Sequence, residues 1–257
     1  MTAPGRFLEQ LTWPEVAAAF EADIPVVFPI GAAAKEHGHH LPMNNDWLLA
    51  RALAEGVAAR LPVLIAPIVP FGYYPVFRAY PGSQHLSAET FARMLAELLE
   101  GYLDQGARRL AILNTGVSTE GPIGLAIRGI LERRGVTIGS ADIRRLGRGA
   151  DHLLRQELGS HADERETSIM LAVAPQVVRL DLARTDYGRE GAPGIFATPS
   201  TMQSTDPARA DYSATGAYGD PTLASAEKGR AILAAMIEDL VGGLVALFPD
   251  LATPDRR

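Results

Sequence analysis

Three of the chain's six histidines and two acids fall in one short run, Lys35-Glu36-His37-Gly38-His39-His40-Leu41-Pro42-Met43-Asn44-Asn45-Asp46, directly after an apolar stretch. Imidazole and carboxylate suit Zn, Mn and related divalent ions, and a His-rich, Gly-containing loop at a strand end presents them at the mouth of an open sheet. The same pattern also reads as an exposed polar loop, or as caps for a helix that starts near Asn45. His39 and His40 cannot both face one ion together with His37 on a regular strand. That assigns His37 to the centre and His40 to substrate or to the groups that hold the centre. Neighbours on an extended segment point to opposite faces, so Glu36 cannot take over the aim of Lys35.

Farther along, His161 precedes Glu166 at the start of a helix. His161 can act as a cap or a partner of Glu164, or it can move a proton. Glu166 can complement the helix dipole, or serve as ligand or base. On a long loop, Arg78 and His85 are candidate substrate contacts. Tyr73, Tyr74, Phe77 and Tyr80 either pack that loop or line a small polar pocket around the one Arg. Ser118 has no Gly-x-Ser-x-Gly context, which argues against a serine-hydrolase triad.

The elements that would position these groups follow a regular alternation. Thr12-Trp13-Pro14-Glu15 supplies a cap, a Pro just inside and a Glu three residues on, predicting a helix through about Ala22. Pro25 to Gly31, Val63 to Val69, Leu110 to Asn114 and Val136 to Ala141 read as buried strands. Helices are expected from about Asp46 to Arg60, from the Ser87 cap to about Gln105, and from Glu120 to Arg134. Short continuous apolar strands alternating with helices predict an α/β chain, a three-layer α/β/α arrangement with a mainly parallel central sheet. Ligands in such sheets bind beyond the carboxyl ends of the strands. There lie the loops 31 to 46, 70 to 86 and 114 to 120, which carry most of the candidates. After Asp142 the pattern loosens, with a helix from about Asp163 to Ala174, an irregular stretch from Ala183 to Gly219 and a last helix from about Leu223 to Leu247.

With 257 residues and no Pro/Gly/Ser-rich linker or charge block, the chain reads as one domain, residues 1–257. A net charge of -6 argues against nucleic acid as a partner. The absence of cysteine removes disulfides, thiol nucleophiles and Cys-based metal sites. No apolar run is long enough to span a membrane, and Met1 to Phe7 lacks the features of a signal peptide. A soluble cytoplasmic protein acting on a small molecule is the expectation.

His37-Gly38-His39-His40-Leu41-Pro42 and Asp46 resemble the signature of the creatininase (creatinine amidohydrolase) family, approximately Glu-Gln-His-Gly-x-His-Leu-Pro followed by an Asp. Ser160 to Ser168 resembles its His-Ala-Gly-x-x-Glu-Thr-Ser block, Tyr80-Pro81-Gly82-Ser83 its Phe-Pro-Gly-Thr turn, and Gly216 to Gly229 its C-terminal segment. The resemblance implies a creatininase-like fold, a hexamer or other homo-oligomer, and a two-metal centre. One ion of that centre is held by Glu, Asp and His, the other by His, the shared Asp and a further acid. Two positions depart from it: Lys35 stands at the first metal-ligand Glu, and Gly116 at the ligand His. His37 and the shared Asp46 remain, so the resemblance with these departures implies at most one divalent ion per chain, Zn or Mn: either a single ion held by His37, Asp46 and one of Glu120 or Glu166, or no metal.

On this reading His161, Glu166 and Lys35 are the catalytic candidates, and His37, Asp46 and Glu120 the metal candidates. His40, Glu36, Tyr80, Arg78 and His85 are the candidates for substrate binding. The expected reaction is hydrolysis of a C–N bond in a small amide or cyclic amide, with a cation, or the Lys35 ammonium in its place, polarising the carbonyl. Two alternatives stay open: a hydrolase of a lactone or cyclic ketone, and a non-catalytic creatininase-fold binding protein with a decayed metal site.

Overall fold

The structure, a computed structural model, describes residues 5–188, 206, 208 and 212–252. Five strands, β1 (Arg6–Phe7), β2 (Val26–Ile30), β3 (Leu64–Ile65), β4 (Leu110–Asn114) and β5 (Gly139–Asp142), form a parallel sheet in the order β1-β3-β2-β4-β5. Alternation within the strands sorts their side chains onto two buried faces. Val26, Phe28 and Ile30 of β2, with Leu110 and Ile112 of β4, meet Phe20 of α1 (Trp13–Glu21), Phe91, Leu95 and Leu99 of α3 (Ala88–Asp104) and Ile123 and Ile130 of α4 (Glu120–Arg134). On the other face Val27, Ala111 and Leu113 meet Leu49, Leu53 and Val57 of α2 (Asn45–Ala58), Ile169 of α5 (Glu164–Val173) and Ile232, Met236 and Leu240 of α6 (Ala226–Leu247). The result is the expected helix–sheet–helix sandwich.

The chain leaves β2 to one side, through α2 to β3, and then crosses to the other side, through α3 to β4. β2 and β4 therefore flank the point where the winding reverses, the place where a crevice opens beyond the carboxyl ends of the strands. The loops after β2, β3 and β4 all emerge there.

Local signals explain most boundaries. Thr12 and Glu15 form a full capping box, with the Thr12 N–H and hydroxyl donating to Glu15 Oε2 at 2.8 and 2.6 Å. Ser87 caps α3 by accepting from Thr90 N. Two edges differ from expectation. β1 is too short to leave a periodic signal, and β5 begins at Gly139 because Val136 and Ile138 turn into the core shared with α3 and α4. Of the irregular Ala183 to Gly219 stretch, expected to be ordered against another subunit, 189–205, 207 and 209–211 lie outside the described residues. Among the described residues no helix is long and apolar enough to cross a membrane.

Candidate active site

Asp46 enters the site from the first turn of α2, whose N-terminus lies against the end of β2. Gly31 permits the approach: a Cβ there would stand 2.5 Å from the Asp46 carbonyl oxygen. The Thr115 hydroxyl, beyond β4, ties the two together by facing the Ile30 and Asp46 carbonyls at 3.1 Å each. The Asp46 carboxylate is thereby fixed at the crevice and buried.

Two side chains converge on it. Lys35 Nζ lies 2.6 Å from Asp46 Oδ2, and His37 Nε2 lies 2.8 Å from Oδ1. Burial alone would raise the Asp46 carboxyl; the Lys35 ammonium and His37 outweigh it and hold the group well below the usual carboxylate range. Lys35 also rests against the faces of Phe77 and Tyr74, 5.1 and 5.8 Å from the ring centroids, so its charge is shared between a carboxylate and two aromatic walls.

A second group stands against the first. The His161 ring packs against His37 and Phe77, with centroids 4.9 and 4.3 Å away and the planes tilted by 39° and 38°. Its Nε2 donates to Glu36 Oε2 at 3.1 Å, and its Nδ1 lies 3.9 Å from Glu166 Oε2. Burial pulls the imidazole down, but Glu36 and then Glu166 outweigh it and raise the pKa of His161. In the reverse sense, the nearby His161 charge overcomes burial and lowers Glu36.

His161 is aimed by its backbone. It pairs with Tyr218 in both directions, and the next residue, Ala162, adopts a left-handed φ of 47°. That conformation is costly for a residue with a Cβ, and three bonds enforce it: Tyr218 N to His161 O at 2.8 Å, Ala162 N to Glu166 Oε2 at 2.7 Å, and Glu166 N to the capping Asp163 Oδ1 at 2.9 Å. Burial and the Glu166 charge push the Asp163 carboxyl up to about 6.

The two groups face a cavity of ≈ 420 Å³. Lys35, Tyr74, Phe77, His161, Asp163 and Glu166 line it, together with Thr115, Gly116, Val117 and Ser118 from the loop after β4 and Arg144, Arg148 and Arg165 on the far side. Of the sequence candidates, Lys35, His161 and Glu166 thus share the wall, with His37 and Asp46 packed behind Lys35 and His161. Glu120 is not brought to them. The Asn114 amide donates to its carboxylate at 2.6 Å, and burial and then Asp142 raise its pKa against that bond.

The substrate-contact candidates also lie outside the cavity's lining. Glu36 is turned to His161, and His40 is buried with Nε2 at 2.8 Å from the Thr167 hydroxyl, burial pulling its imidazole down to about 4. Tyr80 packs with Tyr74 and Phe77, Arg78 is exposed, and His85 stacks on Tyr73. The wall residues that sequence reasoning passed over are Arg144, Arg148, Arg165 and Asp163. The loop after β5 opens at the same sheet edge as the other three, a signal that points to Arg144 and Arg148.

The residues beside Asp46 do not fit the two ions that the family resemblance implies. The Lys35 ammonium already takes Oδ2, Gly116 offers no ligand, and both His37 nitrogens face acceptors, Nε2 the carboxylate and Nδ1 the Lys35 carbonyl at 2.9 Å. Among the described residues His37, His161 and Glu166 have ligand atoms within 4.8 Å of one another, but an ion there would have to displace hydrogen bonds that both rings now make.

The family model for creatininase, described as creatinine amidohydrolase, matches residues 9–244. A creatinine amidohydrolase of Pseudomonas putida is 31% identical over 263 residues, covering 95% of this chain and 97% of that protein. A mycofactocin precursor peptide peptidase of Mycobacterium tuberculosis is 30% identical over 252 residues, covering 91% and 92%. The solved structure designated Creatininase Mn superposes with a TM-score of 0.80 at 28% identity, covering 95% of this chain and 99% of that one.

Proposed function

The chain belongs to the creatininase family of hydrolases, and on that premise we propose that it hydrolyses a C–N bond of a small amide or cyclic amide with Lys35 acting in place of a metal ion. The observation that carries this reading is the Lys35–Asp46 contact of 2.6 Å in the wall of a cavity that His161 and Glu166 share. The names of two relatives, an amidohydrolase and a peptide peptidase, support C–N cleavage, and that of a third, a 3-dehydro-scyllo-inosose hydrolase of Thermotoga maritima at 25% identity, supports the cyclic-ketone alternative.

In this mechanism the Lys35 ammonium, fixed by Asp46, faces the substrate carbonyl oxygen and stabilises the charge that develops on it. Water attacks the carbonyl carbon and gives a proton to the Glu166 carboxylate. The His161 imidazolium, maintained by its raised pKa, delivers the Nδ1 proton to the leaving nitrogen as the C–N bond breaks. Glu166 then returns its proton to Nδ1 across the 3.9 Å gap, restoring both groups. A single ammonium is a weaker electrophile than a pair of divalent ions, so strained or activated amides are the preferred class.

The test is turnover of a panel of small linear and cyclic amides, with and without a chelator, by the unmodified protein and by Lys35→Met. Chelator-resistant turnover that Lys35→Met abolishes is the expected result. Turnover only on addition of Zn or Mn, or retained by Lys35→Met, would overturn the proposal.

A further inference from the structure

Glu36 lies beside the catalytic candidates in sequence, yet it is turned away from the cavity. Its carboxylate is buried against His161, 125 residues away, with Oε2 accepting from Nε2 at 3.1 Å. Three features hold it there. The Gly38 N–H donates to Oε1, the Ser83 hydroxyl accepts from the Glu36 backbone N–H at 3.0 Å, and Gly216, at φ +78°, leaves the space that the carboxylate fills. A Cβ at residue 216 would collide with that carboxylate. A buried acid, provided with a backbone donor and a vacated Cβ position, touches nothing in the cavity except through one imidazole.

We propose that Glu36 is a positioning residue: it holds the proton on Nε2 of His161, so that the ring is fixed with Nδ1 toward Glu166 and the substrate. The role rests on the reading that His161 delivers the proton to the leaving group. An imidazole free to rotate or to change tautomer would present either nitrogen to the cavity. A carboxylate behind the ring removes that freedom, because it accepts and cannot donate, and its charge stabilises the imidazolium. Phe77 and His37, tilted against the ring at 38° and 39°, pack it in place, and Glu36 selects which nitrogen faces the cavity.

The geometry makes Glu36→Gln informative. The Gly38 N–H requires an acceptor at Oε1, so the amide oxygen takes that place and the NH₂ is left facing His161. It donates to Nε2 and moves the ring proton to Nδ1 in the neutral tautomer. Glu36→Asp keeps an acceptor-only group and restores the original tautomer.

The experiment is ¹⁵N NMR of histidine-labelled protein together with steady-state kinetics on the amide panel. In the unmodified protein His161 Nε2 should carry a proton; in Glu36→Gln it should lose it; in Glu36→Asp it should keep it. A fall in kcat of about a hundredfold in Glu36→Gln, with KM within twofold and partial recovery in Glu36→Asp, is the expected kinetic result. An unprotonated Nε2 in the unmodified protein, an unchanged Nε2 signal in Glu36→Gln, or an unchanged kcat would overturn the assignment. Should the panel give no turnover at all, the hydrolase reading fails, and the NMR comparison alone decides what Glu36 does to His161.

Discussion

The His37 and His161 rings pack against each other, 4.9 Å between centroids and tilted by 39°, and join two charge groups: Lys35 with Asp46 behind His37, and Glu36 with Glu166 around His161. Each group sets opposite charges at short range: Lys35 against the Asp46 carboxylate in the first, two carboxylates around one imidazole in the second. Removal of one member should therefore disturb its own group first.

Lys35→Met keeps the length of the side chain and its apolar packing on Phe77 and Tyr74 but leaves Asp46 with His37 alone. Breaking a buried ion pair from one side costs about 3–5 kcal/mol. A urea titration should show the unfolding free energy falling by that amount, and the second substitution in Lys35→Met/Asp46→Asn should recover part of it. Equal stability of Lys35→Met and the unmodified protein would show that the contact is energetically idle.

Lys35→Glu combined with Gly116→His returns an acid and an imidazole to the neighbourhood of Asp46. A Cβ at residue 116 stands 2.9 Å from the Thr119 hydroxyl, which rotation of that side chain relieves. Elemental analysis should then rise from at most one divalent ion per chain to two, since the returned acid and imidazole join Asp46 as the three protein ligands that an open site requires. Two tightly bound ions in the unmodified chain would contradict the role given to Lys35.

His40 is expected to make the fold acid-sensitive. Its pKa is held at about 4 by burial against an ordinary value of 6.5, so folding is favoured in full above pH 6.5 and loses support as pH falls toward 4. The contribution at stake is up to about 3 kcal/mol. His40→Gln keeps a polar group toward Thr167 and does not titrate. Its stability should change less than the parent's between pH 7 and 4.5, and parallel curves for the two proteins would contradict this.

Glu164 is fully buried, accepts from the Arg155 and Gln156 N–H groups at 2.7 Å each, and pairs with Lys228 of α6. Lys228→Met should lower stability by about 3 kcal/mol by stranding that carboxylate, whereas Lys228→Met together with Glu164→Gln should cost less. Thermal denaturation of the single and double variants decides it; additive losses would show that the pair is not coupled.

The sheet and its helices were legible because their signals are local. The Thr12–Glu15 box, the Ser87 cap and the alternation of Val26, Phe28 and Ile30 with Val27 each act within a few residues. The Lys35 departure was visible as a residue type, and its pairing with Asp46 follows from charge. Glu36 was not legible, because its partner lies 125 residues away and its direction depends on Gly216 and Gly38. Arg144 and Arg148 were passed over for a related reason: they follow β5, where the periodic pattern fades, so only the three-dimensional sheet edge groups them with the rest.

The left-handed turn at Ala162 bears on the order in which this molecule matures. A free chain avoids that backbone conformation; here it persists because Tyr218 pairs with His161 from one side and the start of α5 grips it from the other. During synthesis the strands and first four helices are made before Tyr218, but the sheet face carrying Val27, Ala111 and Leu113 is covered only when α6 arrives. His161 gains its fixed direction only when the C-terminal part of the chain docks, so a nascent chain can hold Lys35 against Asp46 before it holds an aimed acid. Assembly therefore ends at the group proposed to move the proton, and chains stalled before Tyr218 should lack turnover.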